Sequence, residues 1–391
     1  APAPRRTPRW VLPAALVAVP AVVAGAVIIV LGPSKTSAAT IEVTNGSCAA
    51  GWKAPHAGRQ TFTIHNTSGH TAEVRLIDPA TGAIHAEVEQ LAPGTSLAMA
   101  ATIGGGTYAW ECLADTGGSI KSASQQVTGP GVGGTAILPV TAQTMSGPLS
   151  NYRAYVTAGL VTLQKSVEVL RGDIGRGDLT TARRDWLTAH LNYERLGAAY
   201  GTFGDFDAAI NGRPNGLPGG ANDPNFSGFH LIEHQLWQGG SAASLKGSAA
   251  KLSADVAALR KAFPGQDFDP TDLALRSHEI LENTLQFQLT DLDGGSGTVL
   301  ATTVANVEGT RELLTVIAPV LSTRAPATLA AAREGLDGFE ATVTSLGDPH
   351  GTWIPLTSLS FTDRQMINGK LSTLLETLAP IPDILEIRRS G

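Results

Sequence analysis

Gly228-Phe229-His230-Leu231-Ile232-Glu233-His234-Gln235-Leu236-Trp237 is the stretch on which the reading of this chain turns. On an α-helix, His230 stands one turn from both Glu233 and His234, so all three side chains share a face. Leu231, Ile232, Leu236 and Trp237 supply an apolar side that packs the helix down. A carboxylate and an imidazole at i and i+3, aimed inward, are what iron and manganese sites in helical bundles use. The same letters, His-x-x-Glu-His, also spell the inverted zinc-peptidase pattern, in which both histidines bind zinc and the glutamate is the general base. The two readings make different demands. Iron or manganese recruits carboxylates from neighbouring helices, whereas a zinc peptidase needs one further ligand and an open position for water. A lone His-x-x-Glu is ordinarily a satisfied structural pair, so the surroundings have to decide.

From about Ser150 onward those surroundings are helical in period. Tyr152 to Leu170 reads as one helix, and Asp178 caps a second that runs to about Tyr200. Further helical stretches cover about 228–238, 244–263, 271–290, 298–321, 326–346 and 362–378. No strand pattern of similar strength interrupts them, which predicts an all-α bundle of six to eight helices in two packed subsets. Acidic candidates near the motif are Glu194 on the second helix, then Asp205 and Asp207 in the loop that runs on to Asn211. His278 and Glu282 form an i, i+4 pair further on, and Glu308 follows. Each of these taken alone is an ordinary helix-face or helix-end charge.

Ahead of the bundle, from about Ile41 to Val127, the period changes to two. Segments 61–66 (TFTIHN), 72–78 (AEVRLID), 96–103 (SLAMAATI) and 106–114 (GTYAWECLA) alternate apolar and polar residues. Turn signals such as Asn66-Thr67-Ser68-Gly69 and Gly104-Gly105-Gly106 separate them, which predicts a small all-β sandwich. Residues 129–148, with five Gly and three Pro, read as a linker. The expected division is therefore 1–39, 40–128, 129–148 and 149–391. A blue-copper centre needs two His, a Cys and an axial Met. After Cys112 come Leu113-Ala114-Asp115-Thr116, Met99 lies on a strand, and His56, His65, His70 and His85 are scattered, so no such centre is expected in the sandwich.

At the front, Val11 to Leu31 is an uncharged run of 21 residues behind Arg5, Arg6 and Arg9. It is long enough to span a bilayer with its basic flank in the cytoplasm, and Ser37-Ala38-Ala39 also offers a signal-cleavage site. Anchor or signal, the working part is expected outside the cytoplasm, where Cys48 and Cys112 can form one disulfide. The whole chain has 391 residues, 42% hydrophobic and 16% charged, the composition of a globular protein with two or three domains. A net charge of −6 leaves no basic field for a nucleic-acid backbone. Two cysteines exclude a four-cysteine zinc site, and aromatics at 5% offer no stacking platform for glycans.

From about Ile41 onward the chain resembles the EfeO family, in which a small cupredoxin-like domain precedes an imelysin-type helical domain. Gly228-Phe229-His230-x-x-Glu233, Asn192-Tyr193-Glu194-Arg195 and Ala305-Asn306-Val307-Glu308-Gly309 carry the resemblance, in matching order and spacing. It implies an extracytoplasmic, non-catalytic iron-binding component of an Efe-type uptake system. Its partners would be a membrane iron permease and a haem peroxidase of the dye-decolorising type. The implied metal centre falls on Glu194, His230 and Glu233, with Asp207, Asn211 and Glu282 as further candidates. The ion would be Fe(II) or Fe(III), with copper or zinc as second choices. Four departures stand out. The second acid one turn after Glu194 is Gly197, and the loop aspartate falls on Asn211, with Asp207 nearby. A Ser-His-Thr-Asp stretch is replaced by Ser296-Gly297-Thr298-Val299. The Cys-Glu-Pro start of the first domain is Cys48-Ala49-Ala50, which removes a possible ligand and favours the disulfide. His234 lies outside the family motif.

Overall fold

The structure, a computed structural model, describes residues 39–129, 133–290, 293–347 and 352–389. The apolar run 11–31 lies outside the described residues. Among the described residues no helix is long and apolar enough to cross a membrane.

Eight strands come first: β1 (Ala39–Val43), β2 (Gly58–Asn66), β3 (Ala72–Ile77), β4 (Ile84–Leu91), β5 (Ser96–Ile103), β6 (Gly106–Ala114), β7 (Ser119–Lys121) and β8 (Gln125–Val127). They form two sheets, ordered β1-β2-β5 and β4-β3-β6-β7, with β8 also on β6. Only the β1–β2 pairing is parallel. Alternation sets the inner faces: Phe62 and Ile64 on β2, Val74 and Leu76 on β3, Met99 on β5 and Trp110 on β6 share one core. A disulfide joins Cys48, in the turn after β1, to Cys112 on β6, with Cα atoms 5.6 Å apart.

The helical part comprises α1 (Ala142–Arg176), α2 (Leu179–Glu194), α3 (Tyr200–Phe203), α4 (Asp205–Asn211), α5 (Gly228–Trp237), α6 (Ala242–Ala262), α7 (Pro270–Asn283), α8 (Val299–Arg324), α9 (Pro326–Thr344), α10 (Phe361–Leu378) and α11 (Pro380–Ile384). They enclose one continuous apolar core. More segments appear than the periodicity predicts because the loop after α2 breaks into the short α3 and α4, and the short α11 follows α10. α2 itself stops at Glu194 rather than near Tyr200, and Gly197 sits in a 3-10 turn against Ile280.

The expected linker is shorter than its composition suggests, because α1 starts at Ala142. Thr141 caps it: its side chain accepts from the Thr144 amide, and the Thr144 hydroxyl accepts from the Thr141 amide. Pro148 lies inside this helix, buried beside Met145 on the core side. The stretch before α1 is pinned as well, with Ile137 bridged to Ile84 and Val140 to Ile387.

The segment Glu386–Arg389 thereby returns to the sandwich. Arg388 donates through Nε and Nη2 to Glu87 Oε1 on β4, at 3.0 and 2.9 Å. Arg75 on β3 donates to the Arg389 carbonyl at 3.0 Å. This cover explains why all six residues of β3 are buried, Glu73 and Arg75 included.

Candidate metal centre

Gly228 opens α5 with φ +80, and a Cβ there would lie 2.1 Å from the Ile210 carbonyl oxygen. Only glycine lets α5 begin so close against the end of α4. Phe229, Ile232 and Leu236 are buried in the core, which turns His230 and Glu233 toward α2. The Trp186 indole N–H donates to the Phe229 carbonyl at 2.9 Å and ties the two helices together. On α2, Trp186, His190 and Glu194 recur every four residues on one face. Gly309 on α8 lets that helix approach the end of α2, since a Cβ would stand 2.8 Å from the Arg195 carbonyl oxygen. The motif 305–309 therefore supports the site from outside. Glu308 pairs with Arg195 at 2.6 Å, and Asn306 donates to Gln288 at 2.8 Å. Gln288 sits in a π-helical turn, Thr284–Gln288, that follows α7.

At the centre lies a chain of four side chains, Glu194–His190–His230–Glu233. Glu194 Oε1 is 3.0 Å from His190 Nε2 and accepts from Asn211 Nδ2 at 2.7 Å; its Oε2 accepts from Gln288 at 3.1 Å. The His190 and His230 ring centroids are 5.2 Å apart. His230 Nδ1 is 3.1 Å from Glu233 Oε2, and Glu233 Oε1 accepts from the Ser296 hydroxyl at 2.5 Å. His190, Glu194 and Glu233 are only 3%, 2% and 1% exposed.

Burial alone would raise both carboxylates. For Glu194, the His190 hydrogen bond and charge, with the Asn211 amide, outweigh it and hold the group at about 2. Glu233 is held below its ordinary value against the same burial by His230 and Ser296. His230 is lowered, chiefly by burial. His190 Nδ1 and His230 Nε2 are both buried and have no hydrogen-bond partner among the described residues. Two ionised carboxylates, each beside an imidazole whose far nitrogen has no protein partner among the described residues, make a donor set suited to a borderline cation such as iron.

A cavity of ≈180 Å³ adjoins these groups, lined by His190, His230, Glu233 and His234, by Arg213 and Phe226 opposite, and by Asp293, Gly294 and Thr298. The loop carrying Ser296 closes one side. A Cβ on Gly294 would lie 3.1 Å from Glu233 Cδ, so this backbone rests directly on the carboxylate.

Of the residues singled out from sequence, the structure brings Glu194, Asn211, His230 and Glu233 together. Of the six residues that the resemblance implied, it does not bring in Asp207 or Glu282. Asp207 accepts from the Tyr193 hydroxyl at 2.5 Å and is raised by burial. Glu282 faces its own helix, 3.5 Å from His278 Nδ1 and accepting from Gln286 at 2.8 Å. Sequence reading missed His190, Gln288 and Ser296; for His190 the four-residue spacing Trp186, His190, Glu194 was the available signal.

A second gathering of acids lies on the sandwich. Among the described residues, Glu73, Glu87 and Glu89 are the one group of three or more His, Cys, Asp or Glu residues whose ligand atoms all lie within 4.8 Å of one another. Arg75 pairs with Glu73 and also stands 3.7 Å from Glu87, which Arg388 holds from the other side. Burial raises Glu73 despite Arg75.

Residues 148–368, more than half of the chain, match the family described as imelysin, in the peptidase classification. Over most of its length the chain is similar to curated proteins named iron uptake system component EfeO. The protein from Yersinia pseudotuberculosis serotype I is 24% identical over 332 residues, covering 84% of this chain and 86% of its own length. That of Yersinia pestis is 24% identical over 331 residues, with the same coverage of 84% and 86%. That of Escherichia coli is 25% identical over 350 residues, covering 88% and 90%.

Proposed function

The chain belongs to the imelysin family and is similar to EfeO proteins along most of its length, and from that premise we propose that it is the extracytoplasmic iron-binding component of an Efe-type uptake system. Iron is cargo here, held between α2 and α5 in the cluster built on Glu194, His230 and Glu233 and passed to a membrane permease. A haem peroxidase of the dye-decolorising type is the further partner. The sandwich acts as a cupredoxin-like docking module, and residues 11–31 keep the chain at the membrane or direct its export.

The observation that carries this reading is the pair of carboxylate–imidazole couples on facing helices, beside a cavity of ≈180 Å³. The carboxylates neutralise the ion and the imidazoles supply borderline donors, while the cavity leaves room for exchange. Asn211 stands where an acid was expected, and its amide serves Glu194 instead. A zinc peptidase would set Glu233 as the general base beside a metal-bound water, whereas here it backs the His230 ring, with Nδ1 at 3.1 Å.

Titrating the purified protein with iron, zinc, copper and manganese in parallel tests the proposal. Iron should bind near one equivalent, and His230→Ala should abolish that binding with helical circular dichroism retained. A double His230→Ala/Glu233→Ala variant that still binds iron stoichiometrically overturns the site. Zinc binding alone, dependent on His234, turns the question to peptidase activity.

A further inference from the structure

We infer that His190 is a metal ligand, binding through Nδ1, and that Glu194 acts by holding this imidazole rather than by meeting the ion itself. The inference rests on the iron-binding reading of the same site. His190 Nε2 lies 3.0 Å from Glu194 Oε1 and 3.1 Å from Asn211 Oδ1. Asn211 donates its Nδ2 to Glu194, which fixes its carbonyl oxygen toward His190. Both neighbours of Nε2 are thus acceptors, so Nε2 carries the proton. In the neutral ring Nδ1 is then a bare lone pair. That nitrogen is buried without a partner among the described residues, on a side chain only 3% exposed. Trp186 stacks on the ring at 5.0 Å and holds its plane.

His230 has the same construction with its nitrogens exchanged. Nδ1 faces Glu233, an acceptor, and Nε2 is the buried nitrogen without a partner. Carboxylate–histidine–metal units of this form orient the ring, set its tautomer and raise its basicity. An ion about 2.1 Å from one nitrogen of each ring, at a roughly tetrahedral angle, sets the ring centroids about 5 Å apart. The two rings stand 5.2 Å apart, their planes at 75°. One helical turn beyond Glu194, Gly197 offers no side chain, so the remaining donor on this face of α2 is His190, one turn before it.

X-ray absorption on the full chain loaded anaerobically with Fe(II), which counts imidazole ligands, tests this. Two imidazoles are expected in the wild type and one in His190→Gln, with Fe(II) affinity lowered well beyond tenfold. Glu194→Gln still offers His190 an acceptor, so it should keep two imidazoles and lose about 10-fold in affinity, at the low end for residues that act through a ligand. If His190→Gln does not fold, His234→Gln decides: two imidazoles retained assigns the second to His190, and one assigns it to His234 and overturns the inference. A single imidazole in the wild type, unchanged in His190→Gln, also overturns it, while His230-dependent iron binding would leave the proposed function standing. A wild type that binds no iron removes both.

Discussion

The carboxylates on the sandwich and those between α2 and α5 are both drawn out of water, and they are neutralised by different bases. On the sandwich, Glu73 and Glu87 meet Arg75 and Arg388. Between α2 and α5, Glu194 and Glu233 meet His190 and His230. Arginine brings only donors and a permanent charge, so an acid that meets it is closed off. Imidazole gives one N–H to the acid and keeps a lone pair on the far side of the ring. By proximity alone the sandwich trio is the better metal cluster. By the chemistry of the partner base, it is a clasp and the helical set is a socket. Counting acids within a radius therefore ranks the two clusters in the opposite order from the chemistry of their partner bases.

The contrast can be broken most forcefully at the disulfide. Replacing Cys48 and Cys112 by serine frees a loop spanned by 64 residues and should cost about 4 kcal/mol, nearly all of it in the sandwich. Thermal melts should show the loss while iron affinity stays unchanged. A fall in affinity would mean that the socket depends on the sandwich.

Acid sharpens the contrast because the two sites respond with opposite signs. Glu194 is held at about 2 when folded, against an ordinary 4.5. Its contribution, roughly 3 kcal/mol, is present above the unfolded value and is lost as pH falls through about 5 toward 2. Glu233 and His230, also lowered, act in the same direction, the histidine from nearer neutrality. Glu73 and Glu386 are raised by burial, so protonation in the same range relieves the clasp. Hydrogen exchange, corrected for intrinsic rates, should show α2 and α5 loosening between pH 6 and 3 before β3 and β4 do. The reverse order would sink the distinction.

The smallest of these effects is Arg388→Ala. It leaves Glu87, itself 20% exposed, without its bidentate partner and should cost about 2 kcal/mol, reduced from the fully buried case because water reaches the acid. Exchange should rise in β4 and at the start of α1, with iron stoichiometry unaltered.

What could be read from sequence was whatever is local. The face shared by His230, Glu233 and His234 lies within two turns of one helix, and the strand and helix periods need only short windows. Where a contact comes from afar, reading failed. β3 looks like a half-exposed strand, yet Glu73 and Arg75 are buried because Glu386–Arg389 covers them. Asp207 looked available, and Tyr193 from α2 takes it. Glycine and proline between 129 and 148 suggested a linker, but the Thr141–Thr144 cap outweighs composition and starts α1 early. His190 was half legible: its spacing from Glu194 is local, but its importance depends on α5 lying alongside.

The clasp also sets an order of events. Arg388 and Glu87 are 301 residues apart, whereas the two cysteines are separated by 64. The sandwich can close its disulfide while Glu87 still lacks Arg388, with Arg75 already paired with Glu73 and 3.7 Å from Glu87. Arg388 then adds a second guanidinium to Glu87 and fastens the C-terminal segment to the sandwich.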